Sequence, residues 1–273
     1  MNWNQRTVWI TGASSGIGEA LAGEIGRRGG RMILSGRRAD ALAQTAAQTD
    51  AETLVLPFEA TDYAALPSIV EQARSWTGSI DVLINNAGIG QRSLAVDTDF
   101  DVYRRLMEID FFAPVRLTQL VLPDMTARRS GHIVVVNSLS GKIGGPLRTG
   151  YAAAKHACQG YFEALRSEVE RTYGIDILLV YPGFVRTAIA LNALSGDGSR
   201  HGQADVNIAG GLDPVEVATA IADAIGARKR EIAIADTFGT DLLAMRAQDP
   251  EALFDLLGIE GEKAATMVRG TED

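Results

Sequence analysis

The chain has 273 residues, 46% hydrophobic and 22% charged, which suits one large α/β domain with a sizeable core and excludes a disordered polyelectrolyte. Its 26 basic and 34 acidic residues leave a net charge of −8, which argues against nucleic acid as a partner. One cysteine, Cys158, excludes an internal disulfide framework, no Cys/His cluster offers a structural zinc site, and no apolar run is long enough to span a membrane, so we expect a cytoplasmic protein without metal.

Strands and helices alternate from the start. Residues 7–10 read as a strand, followed by a glycine-rich turn and a helix through Ile17, Leu21 and Ile25. Residues 32–35 form a second strand, 39–49 a helix, 53–56 a third strand, 66–76 a helix and 82–84 a fourth strand. A long helical stretch runs from Phe100 to Met125, with a break expected near Pro114. The β-branched run 133–136 is a strand of the kind buried on both faces. A helix over 151–173 and a strand over 177–181 follow. Residues 191–212, rich in Gly, Ser, Asp and Asn, read as a long mobile loop. Asp213 and Pro214 begin a helix to Ala227, and 232–235 is the last strand. Helical material follows from Phe238, with a helix start at Asp249-Pro250-Glu251 and a stop at Gly258. Such alternation implies a parallel sheet with helices on both faces.

The turn after the first strand reads Thr11-Gly12-Ala13-Ser14-Ser15-Gly16-Ile17-Gly18. Gly12 permits a tight turn, Gly16 lets the backbone approach a pyrophosphate, and Gly18 lets the helix pack close to the sheet. The helix N-terminus, with Ser14, Ser15 and Ile17 around it, then offers N–H groups to phosphates. The second strand ends Ser35-Gly36-Arg37-Arg38, with no acid before Asp40 to receive a ribose 2′-hydroxyl. Two guanidinium groups suit a 2′-phosphate, so Arg37 and Arg38 favour NADP(H) over NAD(H).

Four further motifs follow in order: Asn85-Asn86-Ala87-Gly88 after the fourth strand, Ser138 after the fifth, Tyr151-Ala-Ala-Ala-Lys155, and Pro182-Gly183 after the sixth. With the glycine turn they resemble the short-chain dehydrogenase/reductase superfamily, in its compact single-domain branch, over residues 5 to 236. The resemblance implies a Rossmann-type doubly wound parallel sheet of about seven strands. Residues 1–237 would form the NADP-binding catalytic domain, and 238–273 a helical extension packed on it or at a subunit interface. It also implies an oxidoreductase that interconverts a carbonyl and an alcohol, and self-association into dimers or tetramers.

The residues themselves support that chemistry. Tyr151 and Lys155 share a helix face, and a nearby ammonium favours the phenolate, fitting Tyr151 for general acid/base work. By resemblance Ser138 orients the substrate oxygen, and Lys155 also holds the nicotinamide ribose. Asn86, Ala87 and Gly88 would lie along the cofactor, Pro182, Gly183 and Val185 beneath the nicotinamide, and Thr187 near its carboxamide or a phosphate. His156, one position on from Lys155, would face away.

Two positions depart from the family. Asp110 stands where an asparagine is usual; as a carboxylate it can pair with Lys155 but cannot donate as an amide does. Glu59, followed by Ala60, stands where an aspartate often contacts adenine. Ile143, Leu147, Val185, Ile189 and Leu191 suggest apolar walls, hence a small or medium-sized, largely apolar substrate. A non-catalytic NADPH-binding regulator, or a partner-binding protein on the same scaffold, is the alternative reading.

Overall fold

The structure, a computed structural model, describes residues 1–4 and 6–270. Gln5 and residues 271–273, the last three of the expected extension, lie outside the described residues.

Seven parallel strands form one sheet in the order β3-β2-β1-β4-β5-β6-β7. They are β1 (Thr7–Thr11), β2 (Arg31–Ser35), β3 (Thr53–Val55), β4 (Val82–Asn85), β5 (Gly131–Val136), β6 (Ile175–Pro182) and β7 (Glu231–Ile234). The order reverses between β1 and β4, and that is where doubly wound sheets open a crevice at their carboxyl ends. The glycine turn, Asn86, Ser138 and Gly183 all follow carboxyl ends of strands, so the topology alone gathers them on one edge.

Successive strand residues point to opposite faces, and each face carries its own core. Val8 and Ile10 of β1 pack with Leu21 and Ile25 of α1 (Gly16–Arg27) and with Val217, Ile221 and Ile225 of α8 (Pro214–Gly226). Trp9 faces the other way, into a core with Val70 of α3 (Leu66–Thr77), Leu117 and Val121 of α5 (Ala113–Arg128), and Phe162 of α6 (Thr149–Tyr173). Trp9 is fully buried, yet its indole N–H donates to Ser35 Oγ at 2.9 Å, which donates in turn to the Leu56 carbonyl at 2.7 Å. A second helix on the β2 side, α2 (Ala39–Ala47), begins just after the two arginines.

The long helix is interrupted just before Pro114, as expected: α4 (Phe100–Met107) passes into a π-helical turn at Glu108–Phe112 before α5 starts. Pro114 sits in the first turn of α5 with helical chain on both sides, so its missing N–H withholds a donor from a carbonyl one turn back. Two other expectations change. The 191–212 segment is tied down: Leu194 bridges Gln91 and Arg200, and α7 (Val206–Ala209) closes the segment. Gly258 is no stop, because after α9 (Thr237–Gln248) the helix α10 runs unbroken over Pro250–Gly270. Gly258 does not take the left-handed conformation that ends helices, and a glycine inside a helix costs only about 1 kcal/mol. Among the described residues no helix is long and apolar enough to cross a membrane.

Candidate active site

The glycine turn is held by its neighbours' polar groups. Gly12 and Gly16 have φ of 66° and 59°, which side chains other than glycine rarely adopt. A Cβ on Gly18 would lie 2.2 Å from the Gly12 carbonyl oxygen, so α1 and the turn can meet only through glycine. Asn86 reaches across from the end of β4 and donates from Nδ2 to the carbonyls of Thr11 at 3.0 Å and Gly12 at 3.2 Å. Thr11 Oγ1 accepts from the N–H groups of Asn86 at 3.0 Å and Ala87 at 3.1 Å. The Asn86 side chain therefore fastens the turn to the sheet, and Thr11 is its counterpart.

No side chain caps the α1 N-terminus, where Ser15 is extended and exposed. The Thr187 side chain packs where a Cβ on Gly16 would lie, 2.9 Å from its methyl group. Arg38 Nη2 is 3.3 Å from both the carbonyl and the hydroxyl of Ser14, so this arginine folds back over the turn. Arg37 and Glu59 are exposed at the same edge. Thr61 donates to Glu59 at 3.3 Å. Ala60 and Ala87 line a small cavity of about 20 Å³ with Thr11 and Phe58.

On α6, Tyr151 and Lys155 are both buried, with Lys155 Nζ 5.6 Å from the centre of the tyrosine ring. Nζ is 3.7 Å from Asp110 Oδ1, which also accepts the Ile89 N–H at 3.0 Å. Asp110 Oδ2 is buried and without a hydrogen-bond partner among the described residues. Burial raises the Asp110 carboxyl to about 6, with Lys155 and the Ile89 N–H pulling the other way. Burial opposes charge on Lys155, but the attraction of Asp110 and Tyr151 outweighs it and the lysine ends above its ordinary value.

The π-helical turn explains how Asp110 gets there. Its backbone carbonyl accepts from Cys158 Sγ on α6 at 3.0 Å, and its side chain points at the Lys155 one turn before that cysteine. Burial pushes the Cys158 thiol up to about 11, consistent with a structural role. Gly88 makes room for the pair, since a Cβ there would stand 2.5 Å from Asp110 Oδ1 and 3.5 Å from Lys155 Nζ.

Ser138 is extended and begins a 3-10 turn at Leu139–Gly141 that packs against α6; its Oγ accepts the Ser140 N–H at 3.1 Å. Two positioning residues escaped the sequence reading. Gln91, almost wholly buried, accepts the N–H groups of Gly150 at 2.7 Å and Tyr151 at 3.2 Å. Asn137 donates to the Lys155 carbonyl at 3.0 Å. Nothing local to Gln91 singles it out in the sequence, because its partners stand 59 and 60 residues further on.

Pro182 closes β6, and the Gly183 N–H donates to the Ile234 carbonyl at 2.9 Å. Val185 departs from the cleft wall expected of it: its side chain is buried in the core beside β1 and α8. His156 is exposed and faces away, as its helix position implies. A cavity of about 750 Å³ lies between α1 and residues 186–215. It touches the glycine turn at Ser15 and Gly16 and takes Thr187 and Leu191 into its wall, but excludes Ser138, Tyr151 and Lys155.

A family model described as short chain dehydrogenase matches residues 6–197. The chain belongs to this family of oxidoreductases. Dehydrogenase/reductase SDR family member 7B of Bos taurus is 38% identical over 265 residues, covering 94% of this chain and 81% of its own length. The protein of that name from Danio rerio is 37% identical over 271 residues, covering 96% of this chain and 87% of its own. Among solved structures, a short-chain dehydrogenase from Streptomyces avermitilis superposes with a TM-score of 0.78 at 27% identity, over 97% of this chain and 98% of that one. The seven-stranded parallel sheet with helices on both faces is the short-chain dehydrogenase architecture. The family binds a nicotinamide dinucleotide.

Proposed function

We propose that this chain interconverts a carbonyl and an alcohol with NADP(H), Tyr151 serving as general acid and base. The observation that carries the reading is the buried line Tyr151–Lys155–Asp110 at the carboxyl edge of the sheet. A lone Tyr-x-x-x-Lys pair on a helix is common; burial against a carboxylate, at the sheet edge that also carries Ser138 and the glycine turn, supports a reaction site.

The dinucleotide, when bound, supplies or accepts the hydride. The turn fits such a group: glycines that a side chain would fill, and an α1 N-terminus that no side chain caps. Gly12, Ser14, Ser15, Gly16, Ile17 and Gly18 would hold the phosphates, with Ala87, Gly88 and Thr187 alongside. Arg37 and Arg38 favour the 2′-phosphate, and no carboxylate competes with them between Ser35 and Asp40.

Tyr151 gives its hydroxyl proton to the substrate oxygen in reduction, or takes the alcohol proton in oxidation. Lys155 holds a positive charge near the Tyr151 ring, and Asp110 sustains that charge. The Ser138 hydroxyl orients the substrate oxygen. Gln91 and Asn137 fix the helix backbone that carries Tyr151 and Lys155.

The test is fluorescence titration with NADPH and NADH on the wild type and on Arg37→Ala/Arg38→Ala. NADPH preference that collapses in the double variant supports the reading. Binding of NADH alone keeps an oxidoreductase but overturns NADP(H), and binding of neither sinks the whole reading in favour of a partner-binding protein.

A further inference from the structure

Two arginines near Tyr151 share a single carboxylate. Arg92 follows Gln91, whose side chain holds the Tyr151 N–H, and Arg148 is the residue from which α6 starts. Arg92 pairs with Asp205 Oδ2, and Arg148 Nη2 lies 3.6 Å from the same oxygen. The other oxygen of Asp205 is committed to starting α7, accepting the N–H groups of Asn207 at 2.9 Å and Ile208 at 3.3 Å. Among the described residues the Arg148 guanidinium has no hydrogen-bond partner, although its side chain is only 22% exposed. It lies over the Phe184 ring, 5.4 Å from its centre, and Phe184 directly follows Pro182-Gly183.

Charge does not balance here. Burial, then Arg92, lowers the His201 imidazole, so this neighbour adds no further cation. Burial and Arg92 also press on Arg148, lowering it to about 10 against the pull of Asp205 and Tyr151, which still leaves it a cation at neutral pH. Two guanidinium groups and one carboxylate leave one positive charge, held beside the tyrosine and with its fork unfilled. A clasp for α7 alone needs just Arg92. The phosphates of a dinucleotide belong at the glycine turn, which Arg38 covers.

We propose that Arg148, seconded by Arg92, is a specificity-determining anion site, and that the substrate carries a carboxylate or phosphate on an apolar body. The proposal rests on Tyr151 being the reaction centre and adds a charged end to the substrate class. The apolar body meets Leu194 of the 191–212 segment, which packs with Tyr151, Val102 and Leu106. A planar guanidinium offers two parallel donors to either anion.

The experiment is calorimetric titration of the full chain, with and without saturating NADPH, using octanoate, octyl phosphate and octanamide as probes. Both anions, or one of them, should bind at least about 10-fold more tightly than octanamide, the range of a charge-assisted bond. Arg148→Gln should erase that advantage while leaving octanamide and NADPH affinity unchanged, and Arg148→Lys should keep part of it. Asp205→Asn, which frees both guanidinium groups, should tighten anion binding. Circular dichroism confirms that each variant is folded. Equal affinity for anion and amide, no binding of either anion, or an advantage that survives Arg148→Gln overturns the proposal. None of these readouts needs turnover, so NADPH binding that persists without anion preference sinks this proposal and leaves the oxidoreductase standing.

Discussion

Lys155 Nζ and Asp110 Oδ1 lie 3.7 Å apart in a site from which both side chains are nearly excluded from solvent. A carboxylate at this place ties the charge of the lysine to a second titrating group, which an amide does not.

Activity should therefore fall as pH drops through about 6, where Asp110 gains its proton and Lys155 loses its partner. In Asp110→Asn this acid limb should vanish from the kcat profile. The folded state holds the proton more tightly than the unfolded chain, whose ordinary value is 3.8, so this carboxyl costs stability as pH rises from about 4 to about 6. Scanning calorimetry across that window should show a flatter slope of Tm for the variant. An unchanged acid limb means that Asp110 does not titrate with the reaction.

Tyr151→Phe should lower kcat by roughly 10²- to 10⁴-fold, the range for removing a general acid/base. Dinucleotide affinity should stay, since the ring and its contacts remain. A variant that keeps wild-type kcat removes Tyr151 from the chemistry.

Gly88→Ala puts a methyl group 2.5 Å from Asp110 Oδ1, which forces the Lys155 pair apart. Displacement by about 1 Å in such a site costs on the order of 10²-fold in rate. Steady-state kinetics beside a melting curve separates this from unfolding: kcat/KM should collapse while Tm moves little.

Gln91→Ala strips two buried N–H groups at the start of α6 of their acceptor. That should cost about 1–3 kcal/mol in urea unfolding, and kcat should fall with it because Tyr151 sits on that first turn. A variant as stable as the wild type shows that water replaces the amide oxygen.

The extension leaves Phe254, Ile259 and Met267 of α10 at least half exposed. We propose that self-association uses this helix. Ile259→Asp should shift sedimentation toward the monomer with Tm unchanged at high dilution. Identical sedimentation of the two proteins places the interface elsewhere.

Strand and helix order was legible because each element carries its own period: the uniform apolar runs of β1, β5 and β6 and the helical spacing of α1 and α6 need no partner to be read. Breaks in helices were less legible. Pro114 announced an interruption near it, but the form that takes, a π-helical turn at Glu108–Phe112, is supported by contacts across the fold, including the Cys158 thiol on the Asp110 carbonyl. Gly258 misled for the converse reason: a local stop signal is overruled when helix formers on both sides continue the turn.

By itself, then, the sequence determined the alternating architecture, the glycine turn, and the helix that sets Tyr151 and Lys155 on one face, because these depend on neighbours within a few residues. Tertiary structure alone decided that Gln91 holds the N–H of Tyr151 and that Arg92 and Arg148 converge on Asp205, and it realised the pairing of Asp110 with Lys155 that the family resemblance had offered. Those groups are separated by tens of residues, and only the closing of the sheet and its loops brings their charges close enough to act on one another.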